Sequence, residues 1–259
     1  MLTDLLSFRT RLAPPIIEVV TELRAVVIDW GGVLTQPIGD TVRDWIAADQ
    51  IDWDTYAAVV GPWLTEAYDV AATAAAAQPA VGLQPPAASL DSAAVNPVHA
   101  LERGECTVAE FEQLLAARLR RTDGKSVPAE GLLTRMLSAA APVPGMYQLL
   151  RDLRAKGVRT ALLSNSWGED GYPRQDFPGL FDAVVISGEV GMRKPEPRIF
   201  QHAAELLGIA PRECVFVDDL EANVRQQMRR VKSHPWIPKH IPVRGFVYDV
   251  KTGRLKEVK

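Results

Sequence analysis

The chain has 259 residues, 47% of them hydrophobic and 24% charged, with a net charge of −3. This is the make-up of an ordinary globular protein, with room for one core domain plus a sizeable insertion. It lacks the run of about 18 apolar residues that a membrane helix needs, and its amino terminus lacks a secretory apolar region, so neither a membrane span nor export is expected.

Taken in order, residues 1–22, with Pro14-Pro15 inside them, read as a short helix and linker without identifiable chemistry. The first informative run is Ala25-Val26-Val27-Ile28-Asp29-Trp30-Gly31-Gly32-Val33-Leu34-Thr35. Four consecutive apolar residues fit a buried strand of a parallel sheet. The Gly-Gly pair after Asp29 forces a turn and lets backbone approach a ligand. Ligands of open α/β sheets lie outside the carboxyl ends of the strands, so Asp29 is a candidate nucleophile able to form an aspartyl-phosphate. The plain alternative is a carboxylate that caps the next loop.

Helix-like apolar spacing follows at Thr41–Ile46 and Trp53–Tyr68. Residues 71–96 are Ala- and Pro-rich, starting helical and turning into a loop at Pro79 and Pro85-Pro86. Thr107-Val-Ala-Glu110 is a capping box, which predicts a helix with Val108, Phe111, Leu115 and Leu119 on one face. Leu132, Leu133, Met136 and Leu137 repeat that spacing. Trp45, Trp53 and Trp63 could line an apolar pocket or fill the core of this helical stretch. His99 is read as a surface or capping residue, with a place facing the site as the alternative.

Three further segments carry polar groups at strand ends or in fixed turns. Ala161-Leu162-Leu163-Ser164-Asn165-Ser166 is a short apolar strand ending in groups suited to phosphate oxygens. Gly191-Met192-Arg193-Lys194-Pro195-Glu196-Pro197 fixes Lys194 in a turn, where its ammonium can neutralise a nucleophile and a phosphate. Cys214-Val215-Phe216-Val217-Asp218-Asp219 is another buried strand, whose adjacent acids repel unless a cation joins them. Oxygen ligands of that kind suit Mg²⁺. Singly, these residues could be a helix cap, a solvated charge and turn formers. The two cysteines, Cys106 and Cys214, lie far apart, so no disulfide framework is expected and a reducing cytoplasm fits.

The set Asp29-x-Gly-Gly-Val, Ser164-Asn165, Lys194-Pro195 and Asp218-Asp219-Leu-Glu-Ala-Asn223 resembles the haloacid dehalogenase (HAD) superfamily. The branch it most resembles contains the phosphatase domain of soluble epoxide hydrolases, a likeness that extends through residues 180–191. The resemblance covers Leu23 to Asn223. It implies an α/β fold, a three-layer Rossmann-like core with a parallel sheet and an inserted helical cap. Residues 1–36 and 143–223 would form the core, 37–142 the cap and 224–259 an atypical basic tail. It also implies a Mg²⁺-dependent phosphatase of small phosphoesters. Asp29 would be the nucleophile and Lys194 its catalytic partner. Ser164, Asn165 and Lys194 would bind phosphate, with Asp29, the Gly31 carbonyl, Asp218 and Asp219 on the metal. The expected partner is a small phosphorylated substrate, with neither nucleic acid nor membrane and with self-association open.

Residue 31 departs from that pattern. The superfamily's phosphatases usually place a second Asp two residues after the nucleophile, as acid and base toward leaving group and water. Here the residue is Gly31. General acid–base help is typically worth about 10²- to 10⁴-fold, so slow turnover is expected. A weakly catalytic phosphate-binding protein and a haloacid dehalogenase are the alternatives, although a dehalogenase needs no Mg²⁺.

From Val224 onward ten Lys/Arg face two Asp/Glu, a local +8 that leaves −11 over the rest. This tail resembles the carboxyl-terminal segment of β-class carbonic anhydrases, but it supplies none of the thiolates such a zinc site needs. A helix is expected over 221–232, then a strand over 243–250. A turn at Thr252-Gly253 leads into 255–258, serving as an edge strand or a hairpin. The basic residues suit a solvated face, an acidic partner or self-association.

Overall fold

A computed structural model of the chain describes residues 24–68, 90, 95–168, 171–219, 224–225, 228, 245–249 and 254–258. Four short strands, β1 (Ala25–Ile28), β2 (Arg159–Ser164), β3 (Ala183–Ile186) and β4 (Cys214–Val217), form a parallel sheet in the order β3-β2-β1-β4. The apolar run read from the sequence thus becomes the second strand in from one edge, paired on both sides.

Alternation along the strands sends side chains to two opposite faces. Ala25, Val27, Ala161, Leu163, Ala183 and Val185 pack against Ile199, Ala203 and Leu207 of the helix Pro197–Leu207. Ile28, Leu162 and Ile186 meet Met146 and Leu150 of the helix Pro144–Ala155, together with Phe177, Leu180 and Phe181. The 199/203/207 spacing gives one helical stripe, and burying an Ile or Leu side chain such as Ile199 or Leu207 contributes roughly 1.5–3 kcal/mol. Helix, sheet and helix make the three layers expected for the core.

Between β1 and β2 the chain builds a separate helical unit. It holds α1 (Ile38–Ala48), α2 (Trp53–Tyr68), α3 (Pro97–Glu102), α4 (Val108–Arg118) and α5 (Leu132–Leu137). These share a core of their own, including Trp45, Ile46, Phe111, Leu115, Leu119, Leu132, Leu133 and Met136. Trp45 fills that core and Trp63 packs against it, whereas Trp53 is half exposed. Val108, expected on the apolar face of α4, is exposed instead, at the first residue of the helix. The chain leaves and re-enters the sheet unit through a paired crossing. Gln36 N–H donates to Ala141 O at 2.8 Å, and Val143 N–H donates to Leu34 O at 2.8 Å.

The carboxyl-terminal strands β5 (Gly245–Asp249) and β6 (Arg254–Val258) pair antiparallel as a separate two-stranded sheet. The antiparallel pairing expected of a hairpin is present, and among the described residues these strands do not extend the four-stranded sheet as an edge. Of the expected helix 221–232, Val224, Arg225 and Met228 are helical and the remainder lies outside the described residues. Residues 1–22 and most of 71–96 also lie outside them.

Candidate active site

Sheet register brings the carboxylates together. Ile28 of β1 is level with Val217 of β4, and the Asp29 N–H continues the ladder by donating to Val217 O at 2.9 Å. Asp29 and Asp218 therefore leave adjacent strand ends side by side. Lys194 arrives from the loop after the short helix Ser187–Val190, through a cis Lys194–Pro195 peptide. Its Nζ lies 2.7 Å from Asp29 Oδ1 and 2.9 Å from Asp218 Oδ2. All three residues are buried, and carboxylate oxygens of Asp29, Asp218 and Asp219 lie within 4.8 Å of one another.

Three carboxylates against one ammonium leave excess negative charge in a poorly solvated place. Burial pushes Asp29 up to about 6, opposed by the Lys194 charge and reinforced by Asp218. Burial also lifts Asp219 to about 7, with Asp29 and Asp218 adding to the rise. For Lys194 burial works toward deprotonation, but Asp218 and Asp29 outweigh it and hold the ammonium above its ordinary value. A hard divalent cation fits this donor set, since closely spaced carboxylate oxygens with unbalanced charge are what such ions take.

Gly32 makes the approach of Asp219 geometrically feasible. It sits at φ 72°, and a Cβ there would lie 2.0 Å from Asp219 Oδ2. Gly31 is different: its Cβ would meet Ile38 Cγ1 of α1 at 3.2 Å, so the helical unit presses on the position that lacks the second acid.

The remaining expected residues divide. Ser164 is buried at the end of β2, with its Oγ 2.9 Å from the Tyr172 hydroxyl oxygen. The Asn165 side chain is spent on the main chain of Lys194: its Oδ1 accepts from Lys194 N–H at 2.7 Å and its Nδ2 donates to Lys194 O at 3.0 Å. These two hydrogen bonds fix the lysine loop, so Asn165 positions Lys194.

Several residues of this region carry no functional signal in the sequence. Tyr172 is one, and the Gly171-Tyr172-Pro173 turn that carries it gives no periodic signal. Glu102 and Arg193 are both fully buried and meet at 2.5 Å, tying α3 to the loop that carries Lys194. Glu102 also accepts from Trp167 Nε1 at 3.2 Å. Beside this pair Arg103 binds Glu196 at 2.7 Å. Gly104, at φ 70°, lets the helical unit approach Gly188 O so closely that a Cβ would stand 2.6 Å away. His99 lies in this contact zone rather than at the surface, and burial with Arg193 and Arg103 drives its imidazole down to about 4. A cavity of about 480 Å³ opens alongside, between residues 101–110 and Ser166, Gly168 and Gly188.

Strand-end carboxylates, a bridging lysine and a helical insertion directly after the first strand define a hydrolase class. The family profile "Hydrolase: haloacid dehalogenase-like hydrolase" matches residues 23–225, and the chain belongs to that family. It is 28% identical to bifunctional epoxide hydrolase 2 of Mus musculus over 144 residues, 50% of this chain and 26% of that protein. It is 38% identical to a phosphoserine phosphatase of Thermus thermophilus over 123 residues, 44% of this chain and 49% of that protein. It thus spans half or less of these curated relatives. A HAD family enzyme of Bacteroides thetaiotaomicron, solved with magnesium and inorganic phosphate, is 22% identical. That structure superposes with a TM-score of 0.51 over 80% of this chain and 90% of its own, a likeness of fold. Among the described residues no helix is long and apolar enough to cross a membrane.

Proposed function

We propose that the chain is a Mg²⁺-dependent phosphatase of small phosphoesters that works through an aspartyl-phosphate on Asp29. The observation that carries this reading is the Lys194 ammonium, 2.7 Å from Asp29 and 2.9 Å from Asp218 at the end of a parallel sheet. An Asp29 oxygen attacks phosphorus, and the bond from phosphorus to the ester oxygen breaks. The leaving oxygen keeps the bonding pair and is protonated by water, because residue 31 offers no carboxyl. A second water then hydrolyses the aspartyl-phosphate, releasing inorganic phosphate and restoring the Asp29 carboxylate.

Lys194 holds negative charge on both nucleophile and phosphoryl oxygens, and Asn165 keeps the lysine loop in register. The Ser164 hydroxyl donates to a phosphoryl oxygen. Asp29, the Gly31 carbonyl, Asp219 and Asp218 would hold Mg²⁺. When bound, the ion neutralises charge between nucleophile and phosphoryl group. Residues 37–142 act as the cap that excludes water and selects substrate. The phosphatase among the relatives supports the reaction type, and the magnesium complex of the structural neighbour supports the ion.

A slower, chiefly phosphate-binding protein is the second reading, favoured by Gly31 and by Ile38 packed against it. Release of inorganic phosphate from an aryl phosphate, with and without Mg²⁺, tests the proposal. The wild type should release phosphate only with the ion, and Asp29→Asn should not. No release across a broad phosphoester panel would leave the second reading standing.

A further inference from the structure

Ser164 carries one hydroxyl proton, and its two neighbouring acceptors differ. The Asn165 carbonyl oxygen is at 3.4 Å, at the long limit of a hydrogen bond, while the Tyr172 hydroxyl oxygen is at 2.9 Å. If Ser164 gave its proton to Tyr172, nothing would remain for a ligand. The opposite polarity leaves the proton available, because a hydroxyl oxygen can accept and donate at once.

Tyr172 is held for that task. Its ring packs edge-to-face on Trp30 at 5.5 Å and on Phe177 at 6.3 Å. Trp30 itself is tied to the nucleophile, its backbone N–H donating to Asp29 Oδ1 at 2.7 Å. Burial pushes the Tyr172 phenol up to about 12, so it keeps its proton.

We propose that the Tyr172 hydroxyl donates to Ser164 Oγ and thereby aims the single Ser164 proton at a phosphoryl oxygen, which makes Tyr172 a positioning residue for phosphate binding. The inference rests on the phosphoryl-site reading above. It assigns a role to a residue that touches the phosphate only through Ser164, so its effect vanishes when Ser164 loses its hydroxyl.

A double-mutant cycle tests this, read both as kcat/KM on an aryl phosphate and as affinity for inorganic phosphate in the presence of Mg²⁺. Tyr172→Phe keeps the ring and its packing, and an unchanged unfolding midpoint verifies the fold. Ser164→Ala should weaken phosphate binding about tenfold or more, the usual scale for a hydrogen bond to a charged group. Tyr172→Phe should cost a smaller factor, and the double variant should match Ser164→Ala. If Tyr172→Phe is silent, or costs the same factor in both backgrounds, the positioning role is overturned while the phosphatase reading survives. If the wild type neither turns over esters nor binds phosphate, the phosphatase reading fails and takes this inference with it.

Discussion

Ile38 crowds the place of a side chain at Gly31, with its Cγ1 3.2 Å from the Cβ position of residue 31, so that the isoleucine would have to give by a few tenths of an ångström. Gly31 is not among the positive-φ glycines, so its backbone would accept another residue, and the obstacle is the isoleucine. Gly31→Asp alone should therefore gain little. Combined with Ile38→Ala it should raise kcat toward an aryl phosphate by about 10²-fold or more, the lower end of what acid–base help provides. Steady-state kinetics on the two single variants and the double variant checks this. No gain in the double would mean that an acid at this place cannot reach the leaving group.

Gly32 allows no such exchange. Gly32→Ala would force an L-residue to φ 72° and drive a methyl into Asp219. The backbone term alone costs about 1–3 kcal/mol. The variant should unfold at lower denaturant concentration, and calorimetric titration should show weakened Mg²⁺ binding as Asp219 is displaced.

Glu102 and Arg193 join the helical unit to the Lys194 loop without solvent contact. Removing one partner strands a buried charge, so Glu102→Gln and Arg193→Met should each cost about 3–5 kcal/mol in urea unfolding. Losing both removes the stranded charge, and the double variant should cost much less than the sum. Additivity would show that the two do not act as a pair.

His99 supplies a pH dependence. Its folded imidazole titrates near 4, below the ordinary value of 6.5. Between those values the unfolded chain binds a proton that the folded chain refuses, so the contribution lowers stability as pH falls from 6.5 to 4 and is absent above 6.5. His99→Gln should flatten that part of the stability profile, measured as denaturation midpoints at pH 7.5 and 5, and leave the higher value unchanged. Parallel profiles would mean that His99 does not titrate there.

Strands β1 and β4 and the carboxylate pair are legible because short apolar runs ending in Asp leave a local record at 25–29 and 214–219, whereas β3 is not read as a strand. The capping box at Thr107–Glu110 was legible for the same reason, since its hydrogen bonds join residues three apart. What escaped depends on distant pairing. Glu102 looks like any helix acid until Arg193, 91 positions away, arrives beside it. Tyr172 gains meaning only from Ser164 across a turn. Asn165 reads as a phosphate ligand because amides suit phosphate. Its use as a clamp on Lys194 arises from a loop that sequence spacing does not place. The hairpin at 245–258 was visible as alternation, but alternation does not say which sheet a strand joins.

The nucleophile itself can be caught. The protein would be mixed with an aryl phosphate and Mg²⁺, quenched in acid within one turnover and digested for mass spectrometry. The peptide containing Asp29 should carry one added phosphoryl group, absent in Asp29→Asn and without Mg²⁺. Undiminished phosphate release by Asp29→Asn, with the adduct on another residue or on none, would contradict Asp29 as the attacking group.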